Sequence, residues 1–127
     1  MGYGIDGRSP LSAQEKASRA GVLPATRSLD LRRDPANPES PVIASEFCGT
    51  SITSESWSQQ RIEEIRRKNA HAKYANAERR GYIVMDISKS QCQVALRGID
   101  DEKQRDTGIA TQARFVVADG RPGPQRV

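Results

Sequence analysis

Glu46 is the one charged residue in the run Pro41-Val-Ile-Ala-Ser-Glu-Phe-Cys-Gly49, which is otherwise apolar or small and rich in β formers. A carboxylate so placed can stand beside a metal ion or orient a substrate group. It can equally neutralise an arginine supplied from outside the chain, because buried charges are normally paired. Thr50 and Ser51 follow at once, after Gly49. Ligands of open α/β sheets gather at strand ends, and two hydroxyls there can meet a phosphate; turn-stabilising hydrogen bonds are an equal use for them. Glu46, Thr50 and Ser51 are therefore the substrate-proximal candidates.

No complete catalytic constellation joins them. His71 is the only histidine, and a metal centre needs several ligands together, so the bland reading of His71 is structural. Cys48 and Cys92 stand far apart without a C-x-x-C pattern; each lies in an apolar run where a free thiol packs as a small hydrophobe, and sequence leaves their pairing open. A nucleophile elbow of the G-x-S-x-G type is absent. Arg79 and Arg80 precede an apolar run and read as solvated loop charges, or as contacts for an acidic partner. No residue is assigned as catalytic or as a metal ligand.

Composition narrows the class. Leu, Ile, Val and Phe make up 23 of 127 residues, below the share of about one fifth at which independent folding becomes doubtful. A net charge of +4 is too small for a disordered polyelectrolyte. The chain fits a segment built to pack against further protein. All of the excess charge falls between Trp57 and Arg80, where Arg61, Arg66, Arg67, Lys68, Lys73, Arg79 and Arg80 face three acidic residues. Such a stretch is either a solvated helix face or a patch for nucleic acid. Only six aromatic residues accompany it, and Phe47, Tyr82 and Phe115 are wanted for packing rather than for base stacking. No apolar run reaches the roughly 18 residues of a membrane helix, and Met1–Gly7 shows no signal-peptide pattern, which leaves location open.

The elements that would position these groups can be read from periodicity. Residues 1–11 are glycine-rich and should be loose; Ser12 caps a short helix, Ala13–Ala20, with Glu15 completing a capping box. Leu29–Pro41, with three prolines among charges, reads as an extended linker. Pro41–Gly49 reads as a strand buried on both faces. Ser56 is expected to cap a narrow-striped surface helix with Gln59 at its third position, supported by Glu63–Arg67 and Glu64–Lys68 pairs. Alternation at Gly81–Ser88, Gln91–Arg97 and Thr111–Ala118 predicts a three-stranded antiparallel meander. Asp119–Pro124 should end regular structure. The fold class is α/β, in an α+β-like fragment: one buried strand, one surface helix and the meander.

Several runs resemble the C-terminal part of the PhoD-like phosphatases, the alkaline phosphatase D family. They are Asp30-Leu-Arg-Arg-Asp34 with Asn37-Pro-Glu-Ser-Pro-Val42; Ser45-Glu-Phe-Cys-Gly-Thr-Ser-Ile-Thr-Ser54; Asn69-Ala-His-Ala-Lys-Tyr74; Glu78-Arg-Arg-Gly-Tyr82; and Phe115-Val-Val117 with Asp119-Gly-Arg-Pro-Gly123. Their order and spacing match over residues 29–123, and the Glu46–Ile52 run is the most specific. The resemblance divides the chain into an unrelated, loose segment 1–28, the phosphatase-like part 29–123 and a tail 124–127. It implies the C-terminal strands of a calcineurin-like metallophosphoesterase sandwich. Such enzymes hydrolyse phosphate esters with a metal cluster that clamps the phosphate and activates water. It further implies metals such as Ca and Fe in the parent enzyme and a parent that is often secreted or periplasmic.

One departure bears on activity. The family carries Gly-Asp-x-His just upstream of its Asp-Leu-Arg-Arg-like run, and that motif falls here on Gly21-Val22-Leu23-Pro24. Val22 and Pro24 cannot bind metal, so no cofactor is expected in this chain. The expectation is a remnant of a truncated gene or a mis-called start, inactive by itself. Its partner would be a separately encoded catalytic N-terminal half, with phosphate esters bound only by the parent enzyme. A small basic nucleic-acid-binding module, or a partner-completing one, is the alternative.

Overall fold

The computed structural model describes residues 25–52 and 54–127. The expected helix Ala13–Ala20 and the Gly21–Pro24 slot lie outside the described residues.

Among the described residues, seven strands and one helix follow in the order β1 (Thr26–Arg32), β2 (Val42–Cys48), α1 (Gln59–Arg67), β3 (Ala72–Asn76), β4 (Gly81–Ile87), β5 (Gln91–Ile99), β6 (Ile109–Ala118) and β7 (Arg121–Arg126). They form two antiparallel sheets, β2-β1-β3 and β4-β5-β6-β7. The fold is thus mostly antiparallel β with one helix, rather than α/β.

The meander follows the period-two pattern of its sequence. Val94 and Leu96 on β5 and Ala113 and Phe115 on β6 point inward and are buried; Phe47, Tyr74, Ile83 and Cys92 close around them. Phe115 is the hub, its ring centroid 5.9 Å from Phe47 in a tilted pair and 6.0 Å from Tyr74 in an edge-on one. Phe47 and Tyr74 come from the first sheet, so this trio ties the two sheets together. Each such pair adds about 0.5–1.5 kcal/mol beyond burial. On the other side, α1 covers β1 and β3 with Ile62, which packs on Ala25, Ala75 and Ala77.

Several expectations need correction. The buried strand is β1, not the Pro41–Gly49 run: residues 26–30 are all buried, whereas β2 is a half-exposed edge of its sheet. Leu29–Arg32, read as the start of an extended linker, is the second half of β1, whose central position pairs the strand with both β2 and β3. Asp119–Pro124 does not end regular structure, because β7 runs through two prolines. It pairs only with β6, and an edge strand tolerates residues without an N–H. Gly123, at φ 105°, lets β7 lie against the first sheet, where its N–H donates to Ser45 Oγ at 3.0 Å.

The helix is capped by Ser58, whose side chain accepts from Arg61 N, rather than by Ser56. Gln59 is released to tie α1 to β3: its Oε1 accepts from Ala77 N at 2.8 Å and its Nε2 donates to Ala75 O at 3.3 Å. The expected Glu63–Arg67 pairing is replaced by Glu63–Arg66, at 2.9 Å. Finally, β3 was not anticipated as a strand.

Candidate functional site

The three candidate residues leave β2 in two directions. Glu46, opposite Leu29 in the register, approaches Arg27 of the neighbouring central strand. Its Oε1 lies 3.7 Å from Arg27 Nη2, with the two side chains 29% and 7% exposed. The arginine that neutralises it therefore comes from this chain. The pairing is loose: Arg27 Nε and Nη1 are buried without a partner. Thr50, beyond the end of β2, accepts from Arg80 Nη1 at 3.5 Å. Ser51 Oγ donates to Ser54 O at 3.2 Å, a turn-stabilising bond.

Arg80 corrects the reading of a solvated loop charge. It is 5% exposed, and its carbonyl accepts from Ile99 N, which anchors the β3–β4 link on β5. Arg79 beside it does face outward, forming a 2.6 Å pair with Asp100. The rest of the basic stretch is engaged piecemeal. Lys73 pairs with the buried Asp30 at 3.0 Å, and Arg61 lies 4.0 Å over the Trp57 ring.

His71 is buried just before β3, and its carbonyl accepts from Asp30 N at 2.8 Å. Burial holds its imidazole below the ordinary histidine range; Arg32 pushes the same way, and the carboxylates of Asp30 and Glu46 oppose it. A neutral ring in a pocket with Leu29, Ile62, Ile65 and Ala72 is a packing residue. Tyr74 is shifted upward by burial against the Phe115 hub. Cys48 and Cys92 are both free.

Among the described residues, no three His, Cys, Asp or Glu side chains gather as a ligand set.

Arg27 and Arg80 are the site residues that sequence reasoning missed. Arg27 stands before the matched runs and carries no spacing signal. Arg80 does lie inside Glu78-Arg-Arg-Gly-Tyr82, but a doublet of arginines does not say which one turns inward.

With this geometry in hand, comparison with known proteins is decisive for the family. A model of the family described as "PhoD-like phosphatase" matches residues 24–96, more than half the chain. The chain belongs to the PhoD-like phosphatase family. Among solved structures, one described as "Structure of PhoD" superposes with a TM-score of 0.74 at 26% identity. That likeness covers 83% of this chain and 20% of the other, so the PhoD-like chain spans about one fifth of that protein's length. No curated protein matches it. The family match takes in β1 to most of β5, and so includes Glu46, Thr50, Ser51, His71 and Arg80.

Proposed function

We propose that this chain is the closing part of a metal-dependent phosphate-ester hydrolase with a calcineurin-like sandwich, and that it turns over no substrate alone. One observation carries the reading: a family match over residues 24–96 joined to a structural likeness that fills only 20% of the matched protein. Two features support it further. Val22 and Pro24 stand where the resemblance places an acid and an imidazole, and neither side chain has a lone pair for a metal. Among the described residues β2 pairs only with β1, which leaves an edge able to accept further strands.

In this reading the chain contributes scaffold and substrate-side groups. Arg27 and Glu46 brace the central strand, while Thr50 and Ser51 sit on the substrate side of the β2 end. Metals such as Ca and Fe, and the water they activate, belong to the catalytic N-terminal portion.

The test is hydrolysis of an aryl phosphate and an aryl phosphodiester with Ca²⁺, Fe³⁺ or Zn²⁺ added. The isolated chain should release no phenol, and co-expression with the N-terminal portion of a PhoD-like enzyme should restore release. Metal-dependent turnover that follows the isolated chain through purification would overturn the reading.

A further inference from the structure

Arg80 carries a buried charge without a counter-charge. The residue is 5% exposed, and none of the ion pairs among the described residues includes it. Its Nη1 reaches Thr50 Oγ1 and Ala77 O only at 3.5 Å, the outer limit of a hydrogen bond, and its Nε is buried with no partner. Both contacts are to uncharged oxygens. A buried charge is normally paired, because leaving it alone is costly.

The guanidinium stands at the end of the first sheet through which the chain enters. Thr26 pairs with Asn76 and Arg27 with Cys48, so β1 begins where β2 and β3 finish. Thr50, just beyond β2, and Ala77, just beyond β3, are the two residues that Arg80 reaches, and Ala77 packs on Ala25 at that entrance. The family match itself begins at residue 24. Among the described residues β2, whose end leads to Thr50, pairs only with β1, so its outer edge can receive another strand.

We propose that an aspartate or glutamate of the catalytic portion docks on Arg80 and Thr50 and closes an ion pair across the junction of the two parts. The inference rests on the proposed function, in which that portion precedes β1. Charge complementarity names the partner group. Arg80 offers only donors, and Thr50, which accepts from Arg80, keeps its hydroxyl proton to give to the same carboxylate. Arg80 lines neither the pocket beneath α1 nor the groove between the sheets. Diffusing ligands favour concave sites, so the anion that suits this position is one carried in by a packed partner. A guanidinium takes a carboxylate bidentately, which is why arginine serves for ion pairs at interfaces.

The experiment co-expresses the full chain with the N-terminal portion of a PhoD-like enzyme and measures capture. Arg80→Met keeps an unbranched stem and removes the charge. It should weaken capture by about thirtyfold or more, as stranding one member of a buried charge pair does. The melting temperature of the isolated variant should hold or rise, since an uncompensated buried charge has gone. An arginine with a purely structural role gives the reverse, a lowered melting temperature with capture unchanged. Arg80→Lys keeps a charge and places an amine at the same position. A carbodiimide joins an amine to a carboxylate as an amide and takes up the water released as a urea. Applied to the Arg80→Lys complex, it should yield a crosslink from position 80 to an Asp or Glu of the N-terminal portion, read by peptide mass spectrometry. Capture that Arg80→Met leaves undiminished, or absence of that crosslink, would overturn the inference and leave the proposed function standing. An unsubstituted chain that captures nothing would count against the proposed function itself, and the inference would fall with it.

Discussion

Arg27 and Glu46 meet at 3.7 Å, with the arginine 7% and the glutamate 29% exposed at their side chains. Water reaches Glu46, so removing it costs less than the roughly 3–5 kcal/mol of a fully buried pair. Glu46→Ala should lower stability by about 1–2 kcal/mol, because Arg27 is left buried with its donors empty. Arg27→Met combined with Glu46→Leu should lose less than Glu46→Ala alone, as read by urea unfolding. His71 sets a pH dependence. Its folded pKa lies below the ordinary histidine value of about 6.5, chiefly through burial, so the unfolded chain takes up a proton first on acidification. The stability tied to its neutral ring is whole above about 6.5 and is lost as pH falls through the lowered value. Melting between pH 7.5 and 5 should show a decline that His71→Gln flattens; an equal decline in the variant would place the titrating group elsewhere.

Strand pairing explains which elements were legible. Gly81 faces Gly98 across β4 and β5, and a Cβ on Gly81 would run into the carbonyl of Arg97. That obstacle is backbone, with no side chain to swing aside, so Gly81→Ala should cost about 1–3 kcal/mol. Gly49→Ala should stay within about 0.5 kcal/mol, since its Cβ would meet only the Ile83 side chain at 3.9 Å. Equal losses in thermal melts would refute this account. The meander could be read because β4, β5 and β6 are covered on one face, and one-sided burial writes a period of two into the sequence. Strand β1 is covered on both sides, by α1 and by the second sheet, but fills those faces with Arg27, Ser28 and Asp30 as well as Leu29. Its burial is bought by ion pairs and backbone bonding, which hydropathy does not register. Strand β7 is hidden by Pro122 and Pro124, admissible only because it is an edge. In the candidate site, Thr50 could be singled out from its place after a strand, while the inward turn of Arg80 could not, because its partners Thr50 and Ala77 are set by tertiary packing rather than by its own sequence neighbourhood.

At the scale of the molecule, three of the exposed apolar side chains share an address. Ile43, on the open edge strand of one sheet, is 53% exposed, and Met85 and Ile87, on the edge strand of the other, are 46% and 74% exposed. The three line one groove between the sheets, together with Phe47, Cys92, Val117 and Pro122. Single exposed apolar residues are ordinary, whereas a largely apolar groove beside two strand edges that pair no further among the described residues is the kind of surface the proposed catalytic portion would cover. A likeness that accounts for one fifth of a PhoD structure is consistent with that cover being the catalytic portion, as proposed above. Lysine at positions 43 and 87 separates this surface from the core, since neither side chain belongs to the Phe115 cluster. Ile43→Lys with Ile87→Lys should leave the melting temperature within about 2 °C, in keeping with surface substitutions worth less than about 0.5 kcal/mol. The same pair should suppress concentration-dependent self-association of the isolated chain in sedimentation, because charge blocks edge-to-edge pairing. It should also reduce co-purification with a co-expressed PhoD-like N-terminal portion by about tenfold or more, for two unpaired charges buried at an interface cost several kcal/mol. A doubly substituted chain that keeps its fold and still captures that portion undiminished would show that the groove is not where the two parts meet.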